Sequence, residues 1–191
     1  RLFVNERGEM HGAISLGCVE SDVRVHLLQV LKSGEPRLVH YGAANEFSYE
    51  VGLSCGGEID VLLRVQRPDE AWRALVSRKP DQAAILMTRV TAPGAGAQRL
   101  FRPDGSGVGS LGDERLDRQA EADAAPLWRS EGHDYLKAGN AEVFAEHLGC
   151  QPVLAIVGAS PIAIALCRMA AIAGFRVIVV DPRSAYARAD L

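Results

Sequence analysis

The sequence predicts a mixed α/β protein: an amino-terminal α+β domain with a duplicated strand-turn-strand-helix unit, then a partial parallel β-α-β unit. Three observations predict it. A set of short motifs near Arg1 recurs near Arg99. Apolar residues alternate in some segments and recur at helical spacing in others. Near the end, two apolar runs, Val153–Val157 and Val177–Val180, flank a glycine turn and a helical pattern.

Leu2, Phe3 and Val4 form the first predicted strand, with a turn at Asn5–Gly8. Gly12-Ala-Ile-Ser-Leu-Gly17 leads into a helix over about Ser21–Lys32. Val23, Leu27, Val30 and Leu31 share one face of it, and Glu20 and Asp22 sit where the helix dipole favours acids. Ser33, Gly34 and Pro36 end it. Arg37–Tyr41 is a strand. Ile59–Val65 is another, with Ile59, Val61, Leu63 and Val65 on one face. Asp69 caps a helix whose Trp72, Leu75 and Val76 face a core, and Lys79-Pro80 ends it. Ala84–Val90 is a strong strand.

The recurrence follows. Arg99-Leu100-Phe101 repeats Arg1-Leu2-Phe3, and Gly107-Val-Gly-Ser-Leu-Gly112 repeats Gly12–Gly17, with Asp104-Gly105 as the turn between. The same order in both places reads as a duplicated unit. After the last glycine the first copy has Cys18-Val-Glu20 and the second Asp113-Glu114, so only the first offers a thiol. Gln119–Asn140, with Pro126 and Gly132 as breakers, reads as loops and short helices. The predicted domains are therefore 1–150, with a linker over about 119–150, and 151–191.

Composition limits the functions. In 191 residues, 48% are hydrophobic and 24% charged, which suits a globular chain. Lys and Arg number 21 against 24 Asp and Glu, a net charge of -3. No basic stripe marks a nucleic-acid partner. The apolar stretch Ile162–Phe175 is interrupted by Arg168 and is too short to span a bilayer. No signal peptide is seen at Arg1, though without an initiator Met a preceding segment stays open. Cys18, Cys55, Cys150 and Cys167 form no CxxC pair, and reduced thiols in a cytoplasm are the better reading. The five histidines form no ligand pair, and Trp72 and Trp128 read as packing residues.

Three segments could carry chemistry. Val153–Val157 reads as a buried parallel strand opening a Rossmann-like unit. Its phosphate loop departs from G-x-G-x-x-G/A: Gly158 and Ala163 fit, but Ser160 brings a Cβ where bare backbone would approach a pyrophosphate. Ser160 could instead cap the helix, with Pro161 at its first position. Asp181 lies roughly 20 residues on, as a ribose-binding acid would, and a turn role before Pro182 stays equally open. In the second segment, Cys55-Gly56-Gly57, backbone amides and a thiol could meet a ligand together, against the plainer reading of a tight turn with an inert cysteine. In the third, Gly17-Cys18 stands at a helix start, which lowers a thiol pKa. Cys167 reads as core and Cys150 as a linker residue.

Together these segments resemble one family. Gly12-Ala-Ile-Ser-Leu-Gly-Cys-Val-Glu20 looks like the G-x-I-x-G-G-C-x-E segment of the xanthine dehydrogenase accessory, XdhC/CoxI, group. Gly52-Leu-Ser-Cys-Gly-Gly57 with Ile59-Asp60-Val61 looks like its G-L-x-C-G-G-x-I/V-x-V segment, and Val180-Asp-Pro-Arg183 like its V-x-D-P-R motif. In this chain Leu16 replaces a glycine of the first motif, and Ser160-Pro161 replaces Gly-His in the Rossmann loop.

The resemblance implies a maturation factor that binds the molybdenum cofactor, assists its sulfuration and inserts it into a molybdenum hydroxylase of the xanthine or carbon monoxide dehydrogenase type. It implies an apo-hydroxylase and a cysteine desulfurase as partners, and a homodimer. Gly17, Cys18, Glu20, Cys55, Gly56, Gly57, Gly158, Ser160 and Asp181 are then the cofactor-binding residues, with Cys18 and Cys55 in contact with molybdenum or sulfur. The cofactor is molybdopterin or its cytosine dinucleotide form. Such a protein binds and transfers rather than turns over substrate. Two other readings stay open: an NAD(P)-dependent oxidoreductase using the β-α-β unit, and a non-catalytic dimerisation or docking module. One β-α-β unit is too small to bury both faces of its sheet, so further chain or a partner is expected there.

Overall fold

The computed structural model describes residues 1–42, 52–53, 55–129, 133–183 and 186. Ser54 and Gly132, both named in predicted loops, lie outside the described residues. The described elements are of mixed α/β type, and they fall into two compact units. Unit 1 comprises Arg1–Ser77 and Ala84–His147, and unit 2 comprises Arg78–Ala83 and Leu148–Leu191.

Unit 1 opens with an antiparallel hairpin, β1 (Leu2–Val4) and β2 (Met10–Gly12). The helix α1 (Glu20–Ser33) follows and stops at Gly34, whose φ of 73° is the left-handed C-cap conformation that glycine adopts freely. Strands β3 (Arg37–Tyr41) and β4 (Ile59–Leu63) pair antiparallel. One apolar cluster joins these parts: Val19, Val23, Val30, Tyr41, Leu53 and Leu63 are buried in it. Ile14, Cys18, Leu27, Ile59, Val61 and Val65 pack against it, so the predicted face of β4 is the inward one.

The second part of unit 1 holds α2 (Glu70–Ser77) and a sheet of five strands. Those strands are β5 (Ala84–Arg89), β6 (Gln98–Phe101), β7 (Gly107–Gly109), β8 (His133–Ala138) and β9 (Ala141–Leu148), in the order β7-β6-β5-β9-β8. Asp69 caps α2 as expected, accepting from the Trp72 amide at 2.8 Å. The buried residue of α2 is Ala71, however, while Val76 is 60% exposed. The helix sits so close to β7 that a Cβ on Gly109 would meet the Ala71 Cβ at 2.9 Å. Small residues allow that approach where Trp72 and Val76 would prop the helix away.

The helix α3 (Glu114–Leu127) corrects the expectation of loops and short helices over Gln119–Asn140. Leu116, Ala120, Ala124 and Leu127 form its buried stripe against Ile85, Met87, Phe101, Leu111 and Val143. Two of the four are alanines, which contribute little to a hydrophobic pattern, and Pro126 falls in the last turn, where it ends the helix rather than breaking it. The strands β8 and β9 were hidden for a similar reason. Ala141, Val143 and Ala145 face the core, but Glu142 and Glu146 alternate with them and mask the run.

The recurring motifs both form hairpins that lead to a helix, in different registers. Leu2 faces Gly12, whereas Leu100 faces Val108 and Phe101 faces Gly107. The β6 strand is also held by β5 on its other edge, while β1 and β2 form a two-stranded ladder among the described residues.

In unit 2, β10 (Val153–Val157) and β11 (Arg176–Val180) pair parallel across α4 (Pro161–Ile172). Ala163 and Ala170 are the buried residues of α4. Ile162, Leu166 and Met169 are 79%, 41% and 67% exposed. The small stripe wins because it lets helix and sheet approach closely. Val157 at 83% and Val180 at 52% leave much of the sheet's other face open within this unit.

Candidate functional site

The Gly12–Glu20 loop is organised by one carboxylate. Glu20 accepts from the amides of Ile14 at 3.0 Å, Ser15 at 2.7 Å and Gly17 at 2.9 Å, and from the Ser15 hydroxyl at 2.7 Å. The Ser15 hydroxyl oxygen in turn accepts from the Val19 amide at 3.1 Å. This set of donors, the Ser15 hydroxyl foremost and the Ile14 amide next, holds the Glu20 carboxyl far below the usual carboxylate range. Its side chain is therefore spent on shaping the loop. Ser15, not singled out from the sequence, is the pivot. Its signal was available: a hydroxyl between two glycines, with a glutamate in the first turn of the helix.

The loop's tip carries strain. Leu16 is the described non-glycine residue with positive φ, at 60°, and its side chain is 93% exposed. This is the position where the motif calls for glycine, and the backbone explains why. A leucine there brings its Cβ against the following carbonyl oxygen.

The two predicted thiols of unit 1 sit differently. Cys18 is half-buried against the cluster that holds Val19 and Val23. Cys55 is exposed, in a turn closed by a hydrogen bond from the Gly56 amide to the Leu53 carbonyl at 3.1 Å. Gly56 has a φ of 76°, and a Cβ added at Gly57 would lie 3.5 Å from the Cys55 Sγ. Leu53 is buried in the same cluster against which Cys18 packs. The two glycine motifs, distant in sequence, are thus anchored in one core.

Among the described residues, no three His, Cys, Asp or Glu side chains gather as a metal-ion site. A metal at these thiols would therefore have to bring other ligands with it. The exposed Cys55 between a buried anchor and two glycines fits that requirement. The amides of the Gly12–Gly17 loop that Glu20 occupies do not. The four cysteines form no disulfide among the described residues.

The residues of unit 2 form a separate arrangement. Ser160 caps α4, its hydroxyl accepting from the Ala163 amide at 3.2 Å, with Pro161 in the first turn. Asp181 accepts from the Ala159 amide at 2.8 Å and the Arg183 amide at 2.9 Å. Its two oxygens also take both ends of the Arg183 guanidinium, at 2.9 and 2.8 Å. Arg183 first, and then these amides, hold the Asp181 carboxyl far below its ordinary range. The turn role left open by the sequence is the one this geometry takes, and Arg183 is the partner that sequence reasoning missed. Cys167 is half-buried, and Cys150 donates to the Asp81 carbonyl at 3.1 Å. No described helix is long and apolar enough to cross a membrane.

The XdhC and CoxI family profile matches residues 1–42, the segment that contains the Glu20-braced loop. The likeness to that family rests on this segment. A relative from Escherichia coli (strain K12), named molybdenum cofactor insertion chaperone PaoD, is 31% identical over 78 residues. That match takes in 41% of this chain and 24% of the relative, so the chain spans about a quarter of the length of that protein. A crystal structure described as a xanthine dehydrogenase from Bacillus halodurans superposes with a TM-score of 0.68 at 21% identity. It covers 98% of this chain and 54% of the solved one, and it shows the likeness of fold.

Proposed function

We propose that this chain is part of an XdhC/CoxI-type, molybdenum cofactor-binding accessory protein that assists cofactor insertion into a molybdenum hydroxylase. One observation carries the reading. The Cys55-Gly56-Gly57 turn and the half-buried Cys18 are anchored on one apolar cluster, and Cys18 lies within the segment that matches the family. The name of the Escherichia coli relative supports the same role. In this reading the exposed Cys55 sulfur is the direct contact to molybdenum or sulfur, and Gly56 and Gly57 leave room for the pterin. Cys18 and Gly17 belong to the same proposed site, and Glu20 keeps their loop in shape. The bound cofactor would supply the redox metal for the client enzyme, while this chain holds and shields it.

The finer parts of the reading are proposals too. They are assistance in sulfuration with a cysteine desulfurase, a client of the xanthine or carbon monoxide dehydrogenase type, a homodimer, and action in the cytoplasm. We read β10-α4-β11 as a partial Rossmann-like unit, with Gly158 and Ser160 on the side of the cofactor's nucleotide where the cytosine dinucleotide form is used. We also read the two hairpin-helix units as an old duplication. NAD(P) chemistry fares less well, because the Asp181 carboxylate is taken up by the Ala159 amide and by Arg183.

The test is elemental and pterin analysis of the chain purified from a host that makes molybdopterin. Molybdenum and a fluorescent pterin should copurify, and Cys55→Ala should lower both with the fold intact. Protein free of metal and pterin from a competent host would sink the proposal.

A further inference from the structure

The second hairpin-helix unit has a cavity of its own. It measures about 580 Å³ and lies between the end of β5, the start of α3 and the β8–β9 turn at Gly139–Asn140. In chain order these elements match those that carry Cys18 and Cys55 in the first unit: a glycine loop entering a helix, and the connection of the hairpin that follows. Here the lining has no thiol and two guanidinium groups instead, Arg89 and Arg115, with Asn140, Gln119 and Asp113.

The charges are not cancelled. Asp113 is the lining's one acid against two arginines. Its Oδ1 is already engaged as the α3 cap, accepting from the Arg115 and Leu116 amides at 2.8 and 3.0 Å. Those helix amides are therefore unavailable to a ligand, and the side chains must do any binding. Arg89 is held in place by bonds from Nε to the Thr91 carbonyl at 3.2 Å and from Nη1 to the Leu111 carbonyl at 3.3 Å. A Cβ on Gly94 would come within 3.3 Å of Nη1, so glycine at that position makes room for the group. Both bonds leave Arg89 Nη2 free of them. The Arg115 side chain is exposed, and it forms no ion pair with the described residues. Two guanidinium groups in one lining, one of them held in place, outnumber the single carboxylate of Asp113 that both also face, and their charge and donors suit an oxyanion.

We propose that this cavity is an oxyanion site for a phosphate group, with Arg89 and Arg115 as its binding residues. It stands apart from the thiol site and does not depend on whether the chain carries molybdenum. The source is free phosphate or the phosphate end of a larger ester, for which the cavity has room.

Isothermal titration of the 191-residue chain at low salt, with inorganic phosphate, with CMP and with cytidine, tests it. Phosphate or CMP should bind saturably and cytidine should not. Arg115→Gln should weaken that binding at least tenfold with an unchanged melting temperature in the absence of ligand. Arg115→Lys should recover part of it, and added salt should weaken it. Equal affinity for phosphate and CMP points to the free ion, and a preference for CMP points to an ester; either supports the oxyanion site. No saturable binding at millimolar probe, or unchanged binding in Arg115→Gln, overturns the proposal.

Discussion

Glu20 accepts both hydrogen bonds that Ser15 can donate, from its amide and from its hydroxyl, each at 2.7 Å. The same carboxylate also receives the Ile14 and Gly17 amides. Glu20→Gln should therefore disturb the loop although it keeps the size of the side chain. An amide group presents one acceptor oxygen in place of two and points a donor at other donors. Alkylation of Cys18 should become faster in the variant, while that of the exposed Cys55 stays the same. Equal Cys18 rates in both proteins would mean that the brace does not control the loop.

The same brace predicts acid sensitivity. The folded Glu20 carboxyl titrates far below its ordinary value of 4.5. Its contribution is thus fully present above that ordinary value and is lost as pH falls toward the folded one. Melting temperature should fall between about pH 5 and pH 2. The fall should be shallower in Glu20→Gln. The Asp181 carboxyl is depressed in the same direction and should add to the acid loss, so the Glu20 variant removes part of the slope and not all of it.

Leu16→Gly should stabilise the protein. A left-handed backbone costs a non-glycine residue about 1–2 kcal/mol. Glycine gives back roughly 0.5–1 kcal/mol through its greater freedom when unfolded. The balance is a gain of about 0.5–1 kcal/mol, read as a melting temperature higher by about 2 °C. The exposed Leu16 side chain makes little packing to lose. A lower melting temperature would show that the leucine is held by contacts worth more than the strain.

Burial separates two apolar positions that look alike in sequence. Phe101 is 1% exposed, within the cluster between the sheet and α3. Phe101→Ala should cost about 3–5 kcal/mol. Val157 ends a continuous apolar run but is 83% exposed, and Val157→Ser should change stability by less than about 0.5 kcal/mol in the isolated chain. Denaturant unfolding of both variants checks the contrast. A large loss at Val157 would reveal that its face is covered in solution.

Asp181 offers a test of the nucleotide reading. With its carboxylate held by Ala159 and Arg183, NAD should not raise the melting temperature at millimolar concentration. A saturable rise that disappears in Asp181→Ala would falsify this and restore a ribose-binding role.

Much of the fold was legible where spacing carries the signal. The helix from Glu20, the β3–β4 pair, β5 and the parallel β10-α4-β11 unit follow from apolar period, capping residues and glycine stops. The failures share a cause. The stripes of α3, α4 and α2 rest on alanine, and alanine adds little to a hydrophobic pattern while it permits the closest approach of helix to sheet. The β9 strand was obscured because its outward positions are glutamates.

By itself the sequence determined the family motif, the thiols and the special positions of Gly17, Gly56 and Gly158, because local chemistry and backbone freedom are properties of single residues and short spacings. Only the tertiary structure decided what each acid does. Glu20 and Asp181 both looked like ligand-binding carboxylates, and both spend their oxygens on neighbouring amides, a hydroxyl and a guanidinium. The tertiary structure also set the Cys18 loop and the Cys55 turn on one core, and Arg89 and Arg115 on one cavity. Those pairings join segments far apart in the chain, and such contacts arise from packing, on which spacing along the sequence has no hold.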